Sequence, residues 1–449
     1  MGIRYQITCA VVVFVVVVAE ILELCICANS STTLHSPCLE RERQALVKFK
    51  ASLNDPSNLL SSWHGDDCCR WKGIGCDNVT GHVVMLDLTP PYLKCWRSMS
   101  DDYDCDLLDY QYLEATNVNS SLLELEYLTH LDLTGNTFYG SHIPMFIGSM
   151  QRLRYLSLSD AGFGGRIPSN LGNLTNLHFL DLSGNGFSPD SNINWISQLP
   201  LLEHLDMSYA YDTFQVNIIN LTITAPKLQF LSLAANGLSV SNLDALQNMT
   251  SLVHLDLGGN NITSIPCWFG NFKKLEYLCL SERGLHGPIP NAFQNATFIE
   301  FLDLSENNFD SFPFWFHKFE KLKLLFLSSN NFQDTIPDAL QNMTSIESLD
   351  LSSNSFTSVP SCGSLPGHIG HIMPNLVNLR LGNNLINGSI PNSLCQNDQL
   401  EILDLSNNRL FGEIPNCWKD NQKWEEINLS FNELSGFMKG TLGGCGFNG

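Results

Sequence analysis

One hydrophobic pattern, L-x-x-L-x-L-x-x-N-x-L/F, recurs along the chain from Leu128 onward. The leucines of its L-x-L core alternate with other residues, which is typical of a short strand with one buried face. A single copy cannot bury its leucines alone, so neighbouring copies must stack and share a core. Thirteen copies follow one another, starting at residues 128, 153, 177, 202, 228, 252, 275, 299, 322, 346, 376, 400 and 424.

The copies are spaced by about 24 residues, within the roughly 20–29-residue period of leucine-rich repeats. This period predicts an α/β solenoid: a right-handed superhelix whose concave face is a parallel β-sheet. A degenerate copy, VVMLDL, precedes the array near Val83. We therefore expect one elongated repeat domain rather than several separate globular domains.

Asparagine follows the strand in ten of the thirteen copies, where a buried amide can bond to unpaired backbone groups of the bend. Ala161, Ala210 and Arg283 replace it, and we expect local irregularity there. The ten residues are Asn136, Asn185, Asn236, Asn260, Asn307, Asn330, Asn354, Asn384, Asn408 and Asn432.

A second motif, F/L-x-G-x-I-P, follows several of the asparagines, as in FGGRIP at 163 and LFGEIP at 410. Its glycine permits a tight bend, and its proline fixes φ without offering a donor. This extension is typical of the plant-specific class of leucine-rich repeats.

The first 28 residues have the pattern of a secretory signal peptide. Arg4 precedes a nearly unbroken apolar run from Ile7 to Ala19, which is shorter than the ~20 residues that span a bilayer. Ala28 is a suitable cleavage point. An uncleaved anchor is the alternative. No later stretch has 18 consecutive apolar residues, so we expect the mature chain to lack a transmembrane helix.

The composition supports secretion and restricts the classes of molecule that the protein can bind. Fifteen cysteines suit an oxidising compartment. The chain has 24 Lys and Arg against 45 Asp and Glu, a net charge of −21. A surface this acidic repels phosphate backbones, so nucleic-acid binding is excluded.

Residues 38–80 are predicted to form the N-terminal cap. A helix should place Leu39, Leu46, Phe49 and Leu53 on one face before stop signals at residues 54–56. Trp63 and Trp71 should pack over the first strand. Four cysteines in this segment, Cys38, Cys68, Cys69 and Cys76, allow three connectivities.

The cap, the repeats and the I-P extension together resemble the ectodomain of plant leucine-rich-repeat receptor-like proteins. Residues 146–182 resemble the branch of fungal-xylanase and apple-scab-resistance receptors. The resemblance implies the cap disulfides Cys38–Cys68 and Cys69–Cys76. It also supports Cys395–Cys417, whose spacing of nearly one repeat already suits a disulfide.

Two segments depart from the family pattern. Residues 81–127 are a degenerate first repeat with an acidic insertion, in which Cys95 and Cys105 either close a loop or stay unpaired. The repeats occupy residues 128–436, and the tail 437–449 lacks both repeat spacing and a cap. Family members continue with further repeats and one transmembrane helix, so the tail predicts a truncated product. Membrane association would then need that missing span or a partner.

N-x-S/T sequons are candidate glycosylation sites. Several recur four residues before a repeat start, which predicts a solvated edge that carries glycans. Asn428 is predicted on the concave face and is expected to be unmodified. The candidate sites are Asn78, Asn119, Asn173, Asn220, Asn248, Asn261, Asn295, Asn342 and Asn387.

A row of rings occupies the position before the second leucine in the first eight copies. Rigid rings bury much area at low entropy cost, so such a row on a solvated sheet is a candidate ligand-binding surface. The alternative is that the rings only shield the strands and pack on one another. This aromatic stripe comprises His130, Tyr155, Phe179, His204, Phe230, His254, Tyr277 and Phe301.

Two residues after the ring position, aspartate recurs as L-D-L in seven copies. It could form an acidic track for a basic peptide, but we favour a structural role in which each carboxylate bonds to neighbouring serine or backbone groups. The residues are Asp132, Asp181, Asp206, Asp256, Asp303, Asp350 and Asp404.

The chain contains no G-x-S-x-G, H-E-x-x-H or phosphate-loop motif and no kinase lysine, so we expect a binding protein without cofactor or metal. The leading hypothesis is an extracellular receptor that binds a microbial protein, peptide or glycan and signals through a partner receptor kinase. The second is a soluble inhibitor of a secreted microbial wall-degrading enzyme, similar to polygalacturonase-inhibiting proteins.

Overall fold

The computed structural model describes residues 38–93, 111–188, 193–210, 225–282, 284–333, 340, 343–357, 369–418 and 424–436, without the side chains of residues 241 and 242. Several predicted features lie outside these residues: the signal peptide, the 437–449 tail, Cys95, Cys105, Asn220 and Asn342. The chain divides into two compact units, one ending at Gly237 and the other beginning at Leu238.

The N-terminal cap begins with helix α1, Glu40–Ala51. A 3₁₀ turn, Cys68–Arg70, leads into strand β1, Ile74–Cys76, which pairs antiparallel with β2, Val83–Asp87. The degenerate copy near Val83 therefore does form a strand.

The buried face of α1 differs from the predicted one at both ends. Leu46 and Phe49 are fully buried as expected, whereas Leu39 precedes the helix and is exposed, and Leu53 follows it and is half-buried. The prediction was wrong for these two leucines because Leu39 lies before the first helical residue and Leu53 lies after the last one.

Glu42 instead lies on the buried face of α1, with only 3% of its surface exposed. Its carboxylate accepts a hydrogen bond from the Val83 N–H at 2.7 Å and lies 2.8 Å from Nδ1 of His82. A buried carboxylate is tolerated when its oxygens are bonded in this way. Glu42 thus ties the cap helix to β2.

In the first unit, five repeat strands continue the sheet from β2 in parallel. Leu131, Leu156 and Leu180 lie opposite one another and are fully buried. The strands are β3 (His130–Asp132), β4 (Tyr155–Ser157), β5 (Phe179–Asp181), β6 (His204–Asp206) and β7 (Phe230–Ser232).

In the second unit, eight repeat strands pair in parallel in sequence order. With the first unit, they account for all thirteen predicted copies. They are β8 (His254–Asp256), β9 (Tyr277–Cys279), β10 (Phe301–Asp303), β11 (Leu324–Phe326), β12 (Ser348–Asp350), β13 (Asn378–Arg380), β14 (Ile402–Asp404) and β15 (Glu426–Asn428).

Short helices and minor strands complete the repeats. Proline caps several of the 3₁₀ helices, because its fixed φ and missing N–H suit a helix start. In the first unit the 3₁₀ helices are Ser120–Glu124, Met145–Ser149, Ser169–Asn173 and Asn194–Gln198. In the second unit they are Asp244–Leu246, Cys267–Asn271, Asn291–Asn295, Phe314–Lys318 and Leu394–Gln396, with helices α2 (Val240–Leu243) and α3 (Ile369–Ile372).

The G-x-I-P extension forms short additional sheets. Gly164–Gly165 pairs with Gly186–Phe187, and His286–Pro288 pairs with Asn308–Ser311. A third set consists of Asn387–Gly388, Arg409–Glu413 and Glu433–Ser435.

The asparagine ladder takes the predicted form. The amide of Asn136 donates to the Leu133 and Leu88 carbonyls at 3.0 and 3.1 Å, and its Oδ1 accepts from the Leu113 N–H at 2.9 Å. One side chain thus satisfies its own turn and the preceding one. The same pattern recurs at Asn185, Asn307, Asn330, Asn354, Asn384, Asn408 and Asn432.

The irregularity expected at Ala161 and Ala210 does not reach the sheet, so that prediction was wrong for the strands. β4 and β6 keep an unshifted register with both neighbours. At Ala161 the backbone carbonyl accepts the Phe138 N–H at 2.9 Å and so replaces the acceptor oxygen of the missing amide. Arg283 lies outside the described residues.

These features confirm the predicted fold class: a leucine-rich-repeat solenoid with a parallel sheet and a helical, disulfide-bonded N-terminal cap. Within the described part of the chain, no helix has the length and apolarity needed to cross a bilayer.

Candidate ligand-binding face

The aromatic stripe lies on the strand face, which we define as the side of each sheet opposite the buried leucines. In the first unit, each ring stacks on the ring of the next strand. Centroids are 4.0 Å apart for His130 and Tyr155, 4.2 Å for Tyr155 and Phe179, 4.0 Å for Phe179 and His204, and 3.8 Å for His204 and Phe230. All five residues are half-buried, although Nδ1 of His204 is itself buried.

In the second unit the stripe is buried. His254 and Phe301 are 5% exposed and Tyr277 is 4% exposed. Tyr277 stacks on His254 at 3.8 Å and on Phe301 at 4.1 Å. Phe326 continues the packing at 5.6 Å from Phe301, although it lies at the aspartate position. The structure therefore brings the predicted residues together but leaves only the first-unit members accessible.

His204 is neutral within the stack. Burial lowers the pKa of its imidazole to about 3. Its Nδ1 is buried without a hydrogen-bond partner among the described residues. The first-unit stripe thus has no cationic ring at this position at neutral pH.

The aspartate row has the structural role we favoured. In β5, the carboxylate of Asp181 accepts hydrogen bonds from the N–H and Oγ of Ser183 at 2.9 and 2.6 Å. Asp206 and Asp303 bond to Ser208 and Ser305 in the same manner. Because these carboxylates close the turns after their strands, they are poor candidates for ligand contacts.

One residue of this row has an altered acidity. Burial raises the pKa of Asp256 to about 6, although hydrogen bonds from the Gly258 N–H and from Cys279 oppose the shift. The buried thiol of Cys279 lies 3.3 Å from Oγ of Ser281. The carboxylate of Asp256, the thiol of Cys279 and the hydroxyl of Ser281 therefore lie close together in the second unit.

Charged residues immediately precede ring or strand positions in both units, among them Arg154 and Glu203 in the first and Glu276, Glu300 and Lys323 in the second. In the first, Arg154 immediately precedes Tyr155, and its carbonyl accepts the Phe179 N–H at 3.0 Å. Its side chain is exposed and has no ion pair or hydrogen bond within the described residues. In the second, Lys323 bonds to Glu300 at 2.7 Å, which raises the Lys323 pKa, and burial with the nearby Glu300 charge raises the Glu276 pKa.

Three expected disulfides are present. Cα–Cα distances are 5.4 Å for Cys38–Cys68, 5.5 Å for Cys69–Cys76 and 5.6 Å for Cys395–Cys417. The sulfurs of the cap lie close together, but disulfide formation leaves them no thiolate with which to bind a metal. Among the described residues, Cys267 is an exposed free thiol.

The described sequon asparagines lie mostly on the surface away from the strand face. Asn119 is half-buried and caps the Ser120–Glu124 helix through its Oδ1. Asn428 is half-buried in β15, where its Oδ1 accepts from the Ser430 hydroxyl at 2.7 Å. Exposed positions are Asn78, Asn173, Asn248, Asn261, Asn295 and Asn387.

Sequence reasoning missed two residues. It did not single out Arg154, which immediately precedes a ring position, and it expected only leucines and Phe49 on the face of the cap helix where Glu42 is buried. A charged residue next to a ring in an otherwise acidic chain was the available signal for Arg154. Burial of Glu42 had no signal, because its partner His82 lies 40 residues away.

Comparisons with protein families agree with the fold. The leucine rich repeat N-terminal domain matches residues 39–77. Leucine rich repeat models match 226–285 and 299–356, and a further repeat model matches 152–174, 345–370 and 399–421. Together with the strand array, these matches make the chain a leucine-rich-repeat protein with an N-terminal repeat cap.

Within that class the chain is similar to plant receptor-like proteins, as its motifs predicted. It is 38% identical to Receptor-like protein EIX1 of Solanum lycopersicum over 207 residues, which are 45% of this chain and 19% of that protein. It is 46% identical to Receptor-like protein EIX2 of the same species over 131 residues, which are 28% of this chain and 12% of that protein. The matches thus span less than a fifth of these relatives.

Solved structures share the fold. A TDR receptor has 27% identity and a TM-score of 0.58, over 71% of this chain and 58% of that one. The plant peptide hormone receptor RGFR1, in complex with RGF2, has 26% identity and a TM-score of 0.54, over 83% and 62%. A Leptospira interrogans leucine-rich-repeat protein has 26% identity and a TM-score of 0.57, over 71% and 82%. Fold likeness thus extends beyond plant receptors, so function must be argued from the face itself.

Proposed function

We propose that this chain is an extracellular recognition protein of the plant receptor-like type, without enzymatic activity. It binds a microbial protein, peptide or glycan on the strand face of the first unit. Binding contributes to defence signalling through a partner receptor kinase.

The observation that carries the proposal is the half-buried state of the first-unit stripe. Five stacked rings, from His130 to Phe230, form a half-buried aromatic surface. Aromatic residues are enriched at protein interaction sites. Stacking also holds the rings rigid, which lowers the entropy cost of binding.

The positions of the sequons also support the strand face of the first unit as the binding surface. Among the described residues of the first unit, the exposed sequon asparagines are Asn78 in the cap and Asn173 at the end of a 3₁₀ helix, and neither lies on a repeat strand. Glycans at these positions would leave the first-unit stripe open. Occupancy can be measured by mass spectrometry of the secreted chain before and after enzymatic deglycosylation.

The relatives support the class of activity. Receptor-like proteins EIX1 and EIX2 share 38% and 46% identity with the matched segments. RGFR1 has the same fold and has been solved in complex with RGF2. A cell-surface or apoplastic location follows from this class and from the predicted signal peptide.

A binding assay with variants of the full chain tests the proposal. The secreted chain would be immobilised and exposed to purified fungal xylanases and polygalacturonases, with surface plasmon resonance as the readout. Replacing both Phe179 and Phe230 by serine should abolish saturable binding. Phe314→Ser is the matched control, because Phe314 is 77% exposed on a 3₁₀ helix outside the stripe.

The outcomes separate the hypotheses. Binding that survives the double substitution contradicts the stripe as the site. Binding that also inhibits the bound enzyme in proportion to occupancy favours the soluble-inhibitor alternative. Equal secretion of all variants shows that loss of binding does not arise from misfolding.

A further inference from the structure

The side chain of Phe298 is exposed in a turn that joins a 3₁₀ helix to a repeat strand. The turn follows the helix Asn291–Asn295 and is closed by a hydrogen bond from the Ile299 N–H to the Ala296 carbonyl at 3.3 Å. Ile299 is fully buried, whereas Phe298 is 46% exposed. Nζ of Lys321 lies 4.1 Å from the centroid of the Phe298 ring and covers one of its faces. Among the described residues, no other ring or cation stacks on Phe298.

Tyr127 occupies the equivalent turn position in the first unit, three residues after the end of the helix Ser120–Glu124. The His82 ring stacks on it with centroids 3.7 Å apart, and the guanidinium of Arg152 lies 4.6 Å from its centroid. His82 precedes Tyr127 along the chain, whereas Arg152 belongs to the next copy. Phe298 also has a cation from the next copy but, within the described part of the chain, it has no counterpart of His82.

A glycosylation sequon stands directly before the turn that contains Phe298. Its acceptor, Asn295, is the last residue of the helix and is exposed, and Thr297 completes the N-x-T motif. Three residues of extended chain span at most about 11 Å, so a sugar on Nδ2 of Asn295 begins close to the Phe298 ring. At the same repeat position, the exposed sequon asparagines Asn173 and Asn248 are followed three residues later by a polar residue rather than a ring.

The chemistry of the first sugar suits an open ring face. Glycosylation forms a bond from Nδ2 of Asn295 to C1 of an N-acetylglucosamine, while the bond from C1 to the diphosphate of the lipid-linked donor breaks and the amide loses one proton. A pyranose ring presents C–H groups, which the negative face of an aromatic ring attracts. Packing of the sugar on the phenyl ring also removes apolar surface of both from water. A sugar linked to Asn295 would therefore supply the cover that the protein lacks on this face of Phe298.

We propose that Asn295 carries an N-linked glycan whose first N-acetylglucosamine packs on the open face of the Phe298 ring. Lys321 covers the opposite face, so that sugar, ring and cation form one stack in the second unit. The glycan then stabilises the turn 296–299 instead of serving only as a surface coat. This inference is independent of the proposed function, because Phe298 lies in a turn and not on a repeat strand.

Local hydrogen exchange of the secreted full chain tests this packing. The chain is produced with a mannosidase inhibitor, so that endoglycosidase H can trim each glycan to its first N-acetylglucosamine. Mass spectrometry first measures the occupancy of Asn295, which we expect to be nearly complete. Amide exchange in the segment 291–301 should stay slow after trimming, and it should become about fivefold faster in Asn295→Gln.

Variants of Phe298 separate ring packing from other effects of the glycan. In the Phe298→Ser background, adding Asn295→Gln should change the exchange less than about twofold, because the sugar has no ring on which to pack. Phe298→Tyr keeps the ring face and should preserve the full effect of Asn295→Gln. Asn173→Gln is the matched control, because it removes a sequon at the same repeat position without a ring. It should change the exchange of residues 169–177 less than about twofold.

The outcomes either support the stack or overturn it. An unglycosylated Asn295 in the secreted chain overturns the inference. An Asn295→Gln effect of equal size with and without Phe298→Ser also overturns it, because the sugar would then act independently of the ring. An equally large effect of Asn173→Gln would show that glycans stabilise these turns without an aromatic partner, which contradicts the proposal. Equal secretion of all variants shows that the differences do not arise from misfolding.

Discussion

The aromatic stripe has the same sequence position in both units but a different environment in each. From His130 to Phe230 the rings are half-buried, whereas His254, Tyr277 and Phe301 are at most 5% exposed. Stacking distances are nearly equal, at 3.8–4.2 Å in the first unit and 3.8–4.1 Å in the second. Ring stacking is therefore common to the fold, and accessibility is what distinguishes a binding surface from packing.

The two roles considered for the stripe require different exposure of its rings. The shielding role, in which rings pack on one another and cover the strands, fits the burial of the rings in the second unit. The recognition role requires rings that a partner can reach, and only the first unit has them within the described residues. Substitutions should therefore reduce stability in one unit and binding in the other.

The largest expected effect is on stability, from truncating a buried ring of the second unit. Phe301→Ala should lower the free energy of unfolding by about 3–5 kcal/mol, because it removes a buried aromatic ring and leaves a cavity. Phe230→Ala, at the equivalent first-unit position, should cost less than half as much because its ring is half-buried. Chemical denaturation of both variants measures the difference, and equal losses would contradict the distinction between the units.

The disulfides give a second comparison between the units. Cys38–Cys68 and Cys395–Cys417 close loops of similar length, with sequence separations of 30 and 22. Because the entropy term depends only weakly on loop length, replacing either pair by serine should cost about 2–5 kcal/mol. Thermal unfolding of the two double-serine variants tests this. A much smaller loss at Cys395 and Cys417 would show that the second unit does not depend on its bridge.

Titration of His204 in the first unit and of Asp256 in the second should change the free energy of unfolding in opposite directions as the pH rises. The folded-state pKa of His204 is lowered from 6.5 to about 3, so its contribution is complete above about pH 6.5 and is lost as the pH falls. His204→Phe keeps the ring and removes the titration. We expect this variant to gain stability relative to wild type at pH 5 but not at pH 8, as measured by urea denaturation.

Asp256 provides the opposite case. Its folded-state pKa is raised from 3.8 to about 6, so its contribution is complete below about pH 3.8 and is lost as the pH rises through 6. Asp256→Asn keeps an oxygen to accept the Gly258 N–H and removes the charge. It should gain stability relative to wild type at pH 7 and lose that gain near pH 4. A gain of equal size at both pH values would mean that charge burial is not the cause.

Much of this architecture could be predicted from the sequence, because repetition reveals it. The strands, the asparagine ladder and the ring positions each recur every ~24 residues, so one correct alignment locates all thirteen copies. The burial difference between Phe230 and Phe301 could not be predicted, because it depends on residues packed around each ring rather than on repeat position. Glu42 and Arg154 escaped prediction for a similar reason, since their roles depend on partners present or absent in the fold.

The smallest expected effect on stability comes from a backbone conformation that the repeat pattern did not predict. The residue before each ladder position has a positive φ, as in Ser353 at 54° and Gly184 at 63°. A non-glycine residue in this left-handed conformation costs about 1 kcal/mol, which glycine avoids. Ser353→Gly in the second unit should therefore raise the free energy of unfolding by up to about 1 kcal/mol. Gly184→Ala in the first unit should lower it, because the new Cβ would also overlap Oδ1 of Asp160. Denaturation midpoints that move in the same direction for both variants would show that backbone strain at this position does not limit stability.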